Sequence, residues 1–191
     1  MAKYLWILMT CFLGACSNPK TPVSDTTNAV YLAQFNSPVI DKACQPLIGQ
    51  YQEILKAMGS NDTIYLFNIT RSLILLTDSL PKINREVDTI LQQNFNNEVG
   101  ALNGELKGLL AAASENDPIK EIQLSVNMVG IQLIHLLGKV GYKQQTVYIY
   151  SVNDEQAEDG FKWMSWQKTM RDPFHLNSRT MLTAEQVLQD Q

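Results

Sequence analysis

The sequence predicts a mostly α fold: an up-and-down bundle of four or five helices, closed by a short β-strand and an aromatic-rich C-terminal segment. Three observations predict it. Apolar residues recur at three- and four-residue spacing from Ile40 to Val140. Aspartate, proline and glycine punctuate that stretch where helix ends belong. After Gly141 the helical period stops and a β-branched, aromatic run begins.

Each element follows from local chemistry. Ser37 and Pro38 form an N-cap and first-turn signal. Ile40, Cys44, Leu47, Tyr51, Ile54, Leu55 and Met58 then share a helical face that stops at Gly59, and Pro46 should kink this helix or restart it. Asp62 can cap a second helix with a stripe of Leu66, Ile69, Leu73, Leu76 and Leu80, ending at Pro81. Ile83, Val87, Ile90, Leu91 and Phe95 suggest a third. Val99, Leu102, Leu106, Leu109, Leu110 and Ala113 continue it or begin a fourth.

Asp117-Pro118 opens the clearest helix, with Ile122, Val126, Val129, Leu133, Leu136, Leu137 and Val140 on one face and Gly141 as its stop. Leu124, Met128, Ile131 and His135 form a second stripe, which implies a central helix packed between neighbours. Short connections make neighbours antiparallel. Residues 146–150 (TVYIY) read as a strand, residues 153–160 as an acidic loop, and Ala184 to Leu188 as a short final helix. Phe161, Trp163, Met164 and Trp166 should pack across one end or side of the bundle.

Composition limits what such a chain can do. At 191 residues it is long enough for one domain plus short extras, and 45% hydrophobic with 18% charged residues is ordinary for a globular protein. Fifteen Lys and Arg against 19 Asp and Glu give a net charge of −4. No global field favours nucleic acid, so no nucleic-acid partner is expected. Three Cys and two His leave few zinc ligands and no disulfide framework.

The first residues read as an address. Lys3 supplies one positive charge, and residues 5–13 (LWILMTCFL) form an apolar run far short of the roughly 20 residues that span a bilayer. The run ends in Leu13, Gly14, Ala15 and Cys16, which resembles the bacterial lipoprotein lipobox. The resemblance implies removal of residues 1–15 as a signal peptide and lipidation of Cys16, whose thiol is the nucleophile toward the lipid donor. Acyl chains at about 0.8 kcal/mol per buried CH₂ then hold the protein on a membrane without a spanning helix. Ser17, where retained relatives carry Asp, implies the periplasmic face of the outer membrane. Residues 17–28 (SNPKTPVSDTTN) are polar and lack an apolar period, so residues 16–36 form the lipidated end and a flexible tether with a reach of about 25 Å. Residues 37–191 form a single mostly helical domain. Its one cysteine, Cys44, is either buried and inert or exposed and open to an intermolecular bond. Apolar helical neighbours favour burial.

Catalytic signatures find little support. The two imidazoles, His135 and His175, stand near no nucleophile motif, and His135 lies among Ile134, Leu136 and Leu137. Zinc, dithiol and phosphate-loop motifs do not occur in the sequence. The acidic loop lacks the alternating oxygen ligands and central glycine of a calcium loop. No enzyme and no cofactor is expected.

The tail carries a second resemblance. Residues 147–151 (VYIYS), 163–165 (WMS), 170–174 (MRDPF) and 181–184 (MLTA) fall in the order and spacing of a bacterial envelope domain of unknown function. That domain is often appended to periplasmic adaptor subunits of copper and other heavy-metal efflux systems. The resemblance is mainly confined to residues 117–187. Its two family cysteines fall on Ser151 and Ala184, and its Met on Asn153. Thiolate and thioether are the ligands that select Cu(I), so the family's soft set is broken here and no metal is expected. Met164, Met170, His175 and Met181 remain as an alternative set for a Cu(I) carrier. The resemblances together imply a lipid-anchored, periplasmic binding or scaffolding lipoprotein with an unidentified envelope protein partner, associated with metal efflux or envelope stress.

Overall fold

A computed structural model describes residues 37–80, 87–154, 157–176 and 183–187. Four helices account for most of it: α1 (Pro38–Gly59), α2 (Thr63–Ser79), α3 (Thr89–Ala111) and α4 (Pro118–Val140), with a 3₁₀ turn at Ala112–Ser114. Aspartate caps three of them. Asp62 accepts a hydrogen bond from the Tyr65 N–H, Asp88 from those of Ile90 and Leu91, and Asp117 from that of Lys120. Each such cap contributes about 1 kcal/mol. Ser37 occupies the N-cap of α1 without a side-chain bond, and Pro38 supplies the pre-set first turn. Gly141 ends α4 in the left-handed region (φ 62°), where a Cβ would be strained.

Pro46 does not divide α1. The proline ring removes one donor, which would have reached the carbonyl of Lys42 one turn earlier. Both residues are exposed, so water can satisfy that carbonyl and the helix runs through. The third apolar run is likewise one helix, α3, whose start is fixed by Asp88. Val87 precedes that helix, Ile90 on its first turn is exposed, and Ile83 lies outside the described residues.

The helices close an up-and-down bundle: α1 packs on α2, α2 on α3, α3 on α4, and α4 returns to α1. The expected stripes form the core. Ile40, Leu47, Ile54, Leu73, Phe95, Leu102, Leu106, Val126, Leu133 and Val140 are all fully buried. Polar bridges set the register between helices. Asn103 Nδ2 of α3 donates to Thr77 Oγ1 (2.6 Å) and Asp78 Oδ1 (3.0 Å) of α2, and Gln132 Nε2 of α4 donates to Glu98 Oε2 of α3 (2.7 Å). The second stripe of α4 behaves differently from expectation. Leu124 and Ile131 are half-buried, while Met128 and His135 are exposed, because α3, α1 and the sheet occupy other sides of the helix.

The C-terminal region is a three-stranded antiparallel sheet in the order β2-β1-β3, from β1 (Val147–Asp154), β2 (Ala157–Ser165) and β3 (Thr183–Val187). Two expectations are corrected here. Most of the stretch read as an acidic loop is strand: β1 runs on to Asp154, β2 begins at Ala157, and the register shifts between Val152 and Asp154. The stretch read as a final helix is β3, with Val187 opposite Val147 and Thr183 opposite Ser151. Five residues carry too little local helical preference to resist pairing with an apolar strand beside them.

An aromatic layer joins sheet and bundle. Trp163 stacks on its cross-strand partner Tyr150 (centroids 5.6 Å apart) and meets Phe174 edge-on at 5.7 Å, while Phe161 packs on Phe174 at 4.7 Å. Such pairs contribute about 0.5–1.5 kcal/mol each beyond their buried area.

Candidate functional site

Strand β2 is an edge strand, and its outer edge is closed by side-chain amides of the bundle. Asn127 on α4 spans two backbone groups: Oδ1 accepts from the Lys162 N–H (2.7 Å) and Nδ2 donates to the Gly160 carbonyl (3.1 Å). Gln52 on α1 bridges one backbone group and one side chain further along β2. Its Nε2 donates to the Met164 carbonyl (2.7 Å), and its Oε1 accepts from Ser165 Oγ (3.0 Å). Between them Gly130 lets α4 approach. A Cβ there would lie 2.9 Å from the Lys162 carbonyl oxygen and inside contact distance of the Tyr51 hydroxyl. These side chains blunt the strand edge and lock the sheet onto the helices. Asn127 and Gly130 carried one legible signal, a polar residue and a glycine within the most regular helix of the sequence.

The loop after β2 is fastened at both ends. The Asp172 carboxylate accepts from the N–H groups of Phe174 and Leu176 (2.8 Å each). Gln123 Nε2 donates to the Phe174 carbonyl (2.9 Å). His175, in the left-handed region at φ 53°, donates from Nε2 to the Gly59 carbonyl at the end of α1 (3.0 Å). His175 therefore ties the loop to α1. Met164 is fully buried in β2, where strand alternation sets it on the face opposite Trp163, and Met170 is half-buried against the core. Met181 lies outside the described residues, as do Leu13, Gly14, Ala15 and Cys16. The positions of the two family cysteines sit on neighbouring strands one step out of register: Ser151 faces Thr183, and Ala184 faces Tyr150. Among the described residues no group of three or more His, Cys, Asp or Glu is placed to hold a metal ion.

Cys44 is fully buried, and burial with the nearby Asp41 carboxylate raises its thiol above the ordinary range. It is a small core residue rather than a nucleophile. Tyr142 beside it is pushed up to about 12, by burial first and then by Cys44 and Asp41. The Asp41 carboxylate accepts from the Lys143 N–H (3.3 Å), which pins the chain leaving α4 to the first turns of α1.

An open groove of about 350 Å³ runs between α1 and α2. Gly49, Gln50 and Glu53 line it from α1, and Tyr65, Asn68, Ile69 and Ser72 from α2. The spacing 65, 68, 69, 72 places one helix face along it. Glu53 Oε2 accepts from the Tyr65 hydroxyl (2.9 Å) and pairs with Lys56 (3.5 Å), an exposed pair of small energetic weight. The Glu53 hydrogen bond raises the Tyr65 phenol above its ordinary value. Asn68 Oδ1 accepts from Arg71 (3.2 Å). No motif marks these polar positions, because the groove exists only once two helices are side by side.

Among the described residues no helix is long and apolar enough to cross a membrane. No family model, curated protein or solved structure matches the chain.

Proposed function

We propose that this protein is a lipid-anchored binding or scaffolding domain of the bacterial envelope, held through Cys16 at the periplasmic face of the outer membrane. The block Leu13, Gly14, Ala15, Cys16 after a nine-residue apolar run carries the reading. The polar residues 17–28 lie between that block and the first described helix, which starts at Pro38, as a tether lies between an anchor and its cargo. The bundle supports a binding role through its architecture: its helices are tied to one another and to the sheet by buried amides, leaving the α1–α2 groove as a polar recess on a rigid frame. The partner is an envelope component, and association with metal efflux or envelope stress follows from the tail resemblance alone.

Metabolic labelling with a fatty acid tests the anchor. Label is expected in the wild-type protein and lost in Cys16→Ala. Equal label in both overturns the proposal.

A further inference from the structure

We propose that the groove between α1 and α2 is a binding site for a neutral sugar. This deepens the envelope-binding role by naming a ligand class, and it rests on that role for the choice of sugars to test.

The lining chemistry selects the class. Sugars present neighbouring hydroxyls, each able to donate and accept, together with a face of C–H bonds. The groove offers two carboxamides (Gln50 and Asn68), a hydroxyl (Ser72) and a carboxylate (Glu53) around the ring of Tyr65. Carboxamides donate and accept at once, and a free carboxylate oxygen accepts from a sugar hydroxyl. The Tyr65 ring is 41% exposed, so it can receive the C–H face. Other classes fit less well. Glu53 repels an anion at close range. Arg71 already donates to Asn68, and Lys56 is paired to Glu53. Ile69 is the single large aliphatic side chain in the lining, too little for an acyl chain.

The site is also set in advance. Tyr65 is held by Glu53, and Asn68 by Arg71. Those bonds occupy Glu53 Oε2 and Asn68 Oδ1, leaving Glu53 Oε1 and Asn68 Nδ2 to meet a ligand. A volume of about 350 Å³ lies at the small end of ligand pockets and suits a mono- or disaccharide.

Gly49 supplies a control. It sits within α1, where glycine weakens a helix. Neither geometry nor crowding requires it: a Cβ there would meet only Trp166 Cη2, at an ordinary 3.6 Å. Gly130 is the contrast, because there a Cβ collides. The nearest neighbour of a methyl at position 49 is thus Trp166, which does not line the groove.

Two probes distinguish the sources of such a sugar. Isotope-labelled protein is titrated with N,N′-diacetylchitobiose, a neutral N-acetylated disaccharide like the amino sugars of the cell wall, and with lactose, a neutral hexose disaccharide like the outer sugars of lipopolysaccharide, and backbone amide shifts are followed. Saturable shifts confined to α1 and α2 with either probe are expected, and the probe that produces them names the source. Tyr65→Ala and Asn68→Ala, both at exposed positions, should each weaken binding at least tenfold. Gly49→Ala should melt at the same or a higher temperature and keep wild-type affinity, which separates the loss of a lining side chain from a change in the helix. No saturable shift with either probe, shifts that map elsewhere, or wild-type affinity in both Tyr65→Ala and Asn68→Ala overturns the proposal. The anchor is tested separately: if Cys16 takes up no fatty acid in cells, the envelope role falls, while saturable sugar shifts in α1 and α2 still leave this site standing.

Discussion

Replacing Gly130 by alanine tests how the bundle holds its sheet. The new Cβ would sit 2.9 Å from the Lys162 carbonyl oxygen and closer still to the Tyr51 hydroxyl. Neither neighbour can yield easily. Lys162 is backbone of β2, fixed by Asn127, and Tyr51 is fully buried. Overpacking of this kind costs about 1–3 kcal/mol, and contact with backbone on one side places it near the top of that range. Alanine returns about 1 kcal/mol of helix propensity. The net loss is therefore about 2 kcal/mol, which in a chain of this size lowers Tm by about 4–8 °C. Urea unfolding followed by circular dichroism measures it. Gly104→Ala is the control, because a Cβ there meets nothing within 4 Å and should stabilise by about 0.5–1 kcal/mol. Adding Tyr51→Phe to Gly130→Ala should recover part of the loss, since it removes the nearer of the two oxygens. A Gly130→Ala protein as stable as wild type would refute the close approach of α4 to β2.

Three other outcomes follow from the same geometry. Asn127→Leu leaves the Lys162 N–H and Gly160 carbonyl without their partner and should cost about 3 kcal/mol or more by urea unfolding. Tyr142, raised to about 12 against an ordinary phenol near 10, stabilises the fold fully below pH ~10 and loses that contribution as pH rises through about 12. Alkaline unfolding of wild type should steepen across that window, and Tyr142→Phe should soften it without loss at neutral pH, because the buried hydroxyl has no hydrogen-bond partner among the described residues. The protein should take up no tightly bound Cu(I) in competition with a calibrated chelator, since Met164 is buried in the sheet and His175 donates to Gly59. One equivalent of copper, lost in His175→Ala, would contradict this.

The bundle was legible because helix signals are local. Apolar residues three and four apart mark the buried face, and Asp62, Asp117 and Gly141 mark ends through bonds to neighbours a few residues away. Of the two outcomes expected at Pro46, a second helix start does not occur, because its cost depends on whether the orphaned carbonyl meets water, which a sequence does not show. Residues 157–160 and 183–187 misled for a related reason. Their strand state is set by pairing with β1, a non-local partner that overrides weak local preference. The edge clamp was out of reach as a unit. Gln52, Asn127 and Gly130 acquire their role only when α1 and α4 flank β2, and the groove residues theirs only when α1 lies beside α2. The aromatic cluster was visible as composition, whereas its stacking order came from the hairpin register.

The most direct measurement of the central claim is the intact mass and N-terminal residue of the protein extracted from bacterial membranes. The expected product is a chain beginning at Cys16, heavier than its amino acids by a diacylglyceryl group and a further acyl chain. A chain that keeps residues 1–15, or begins at Cys16 with no added mass, would contradict it.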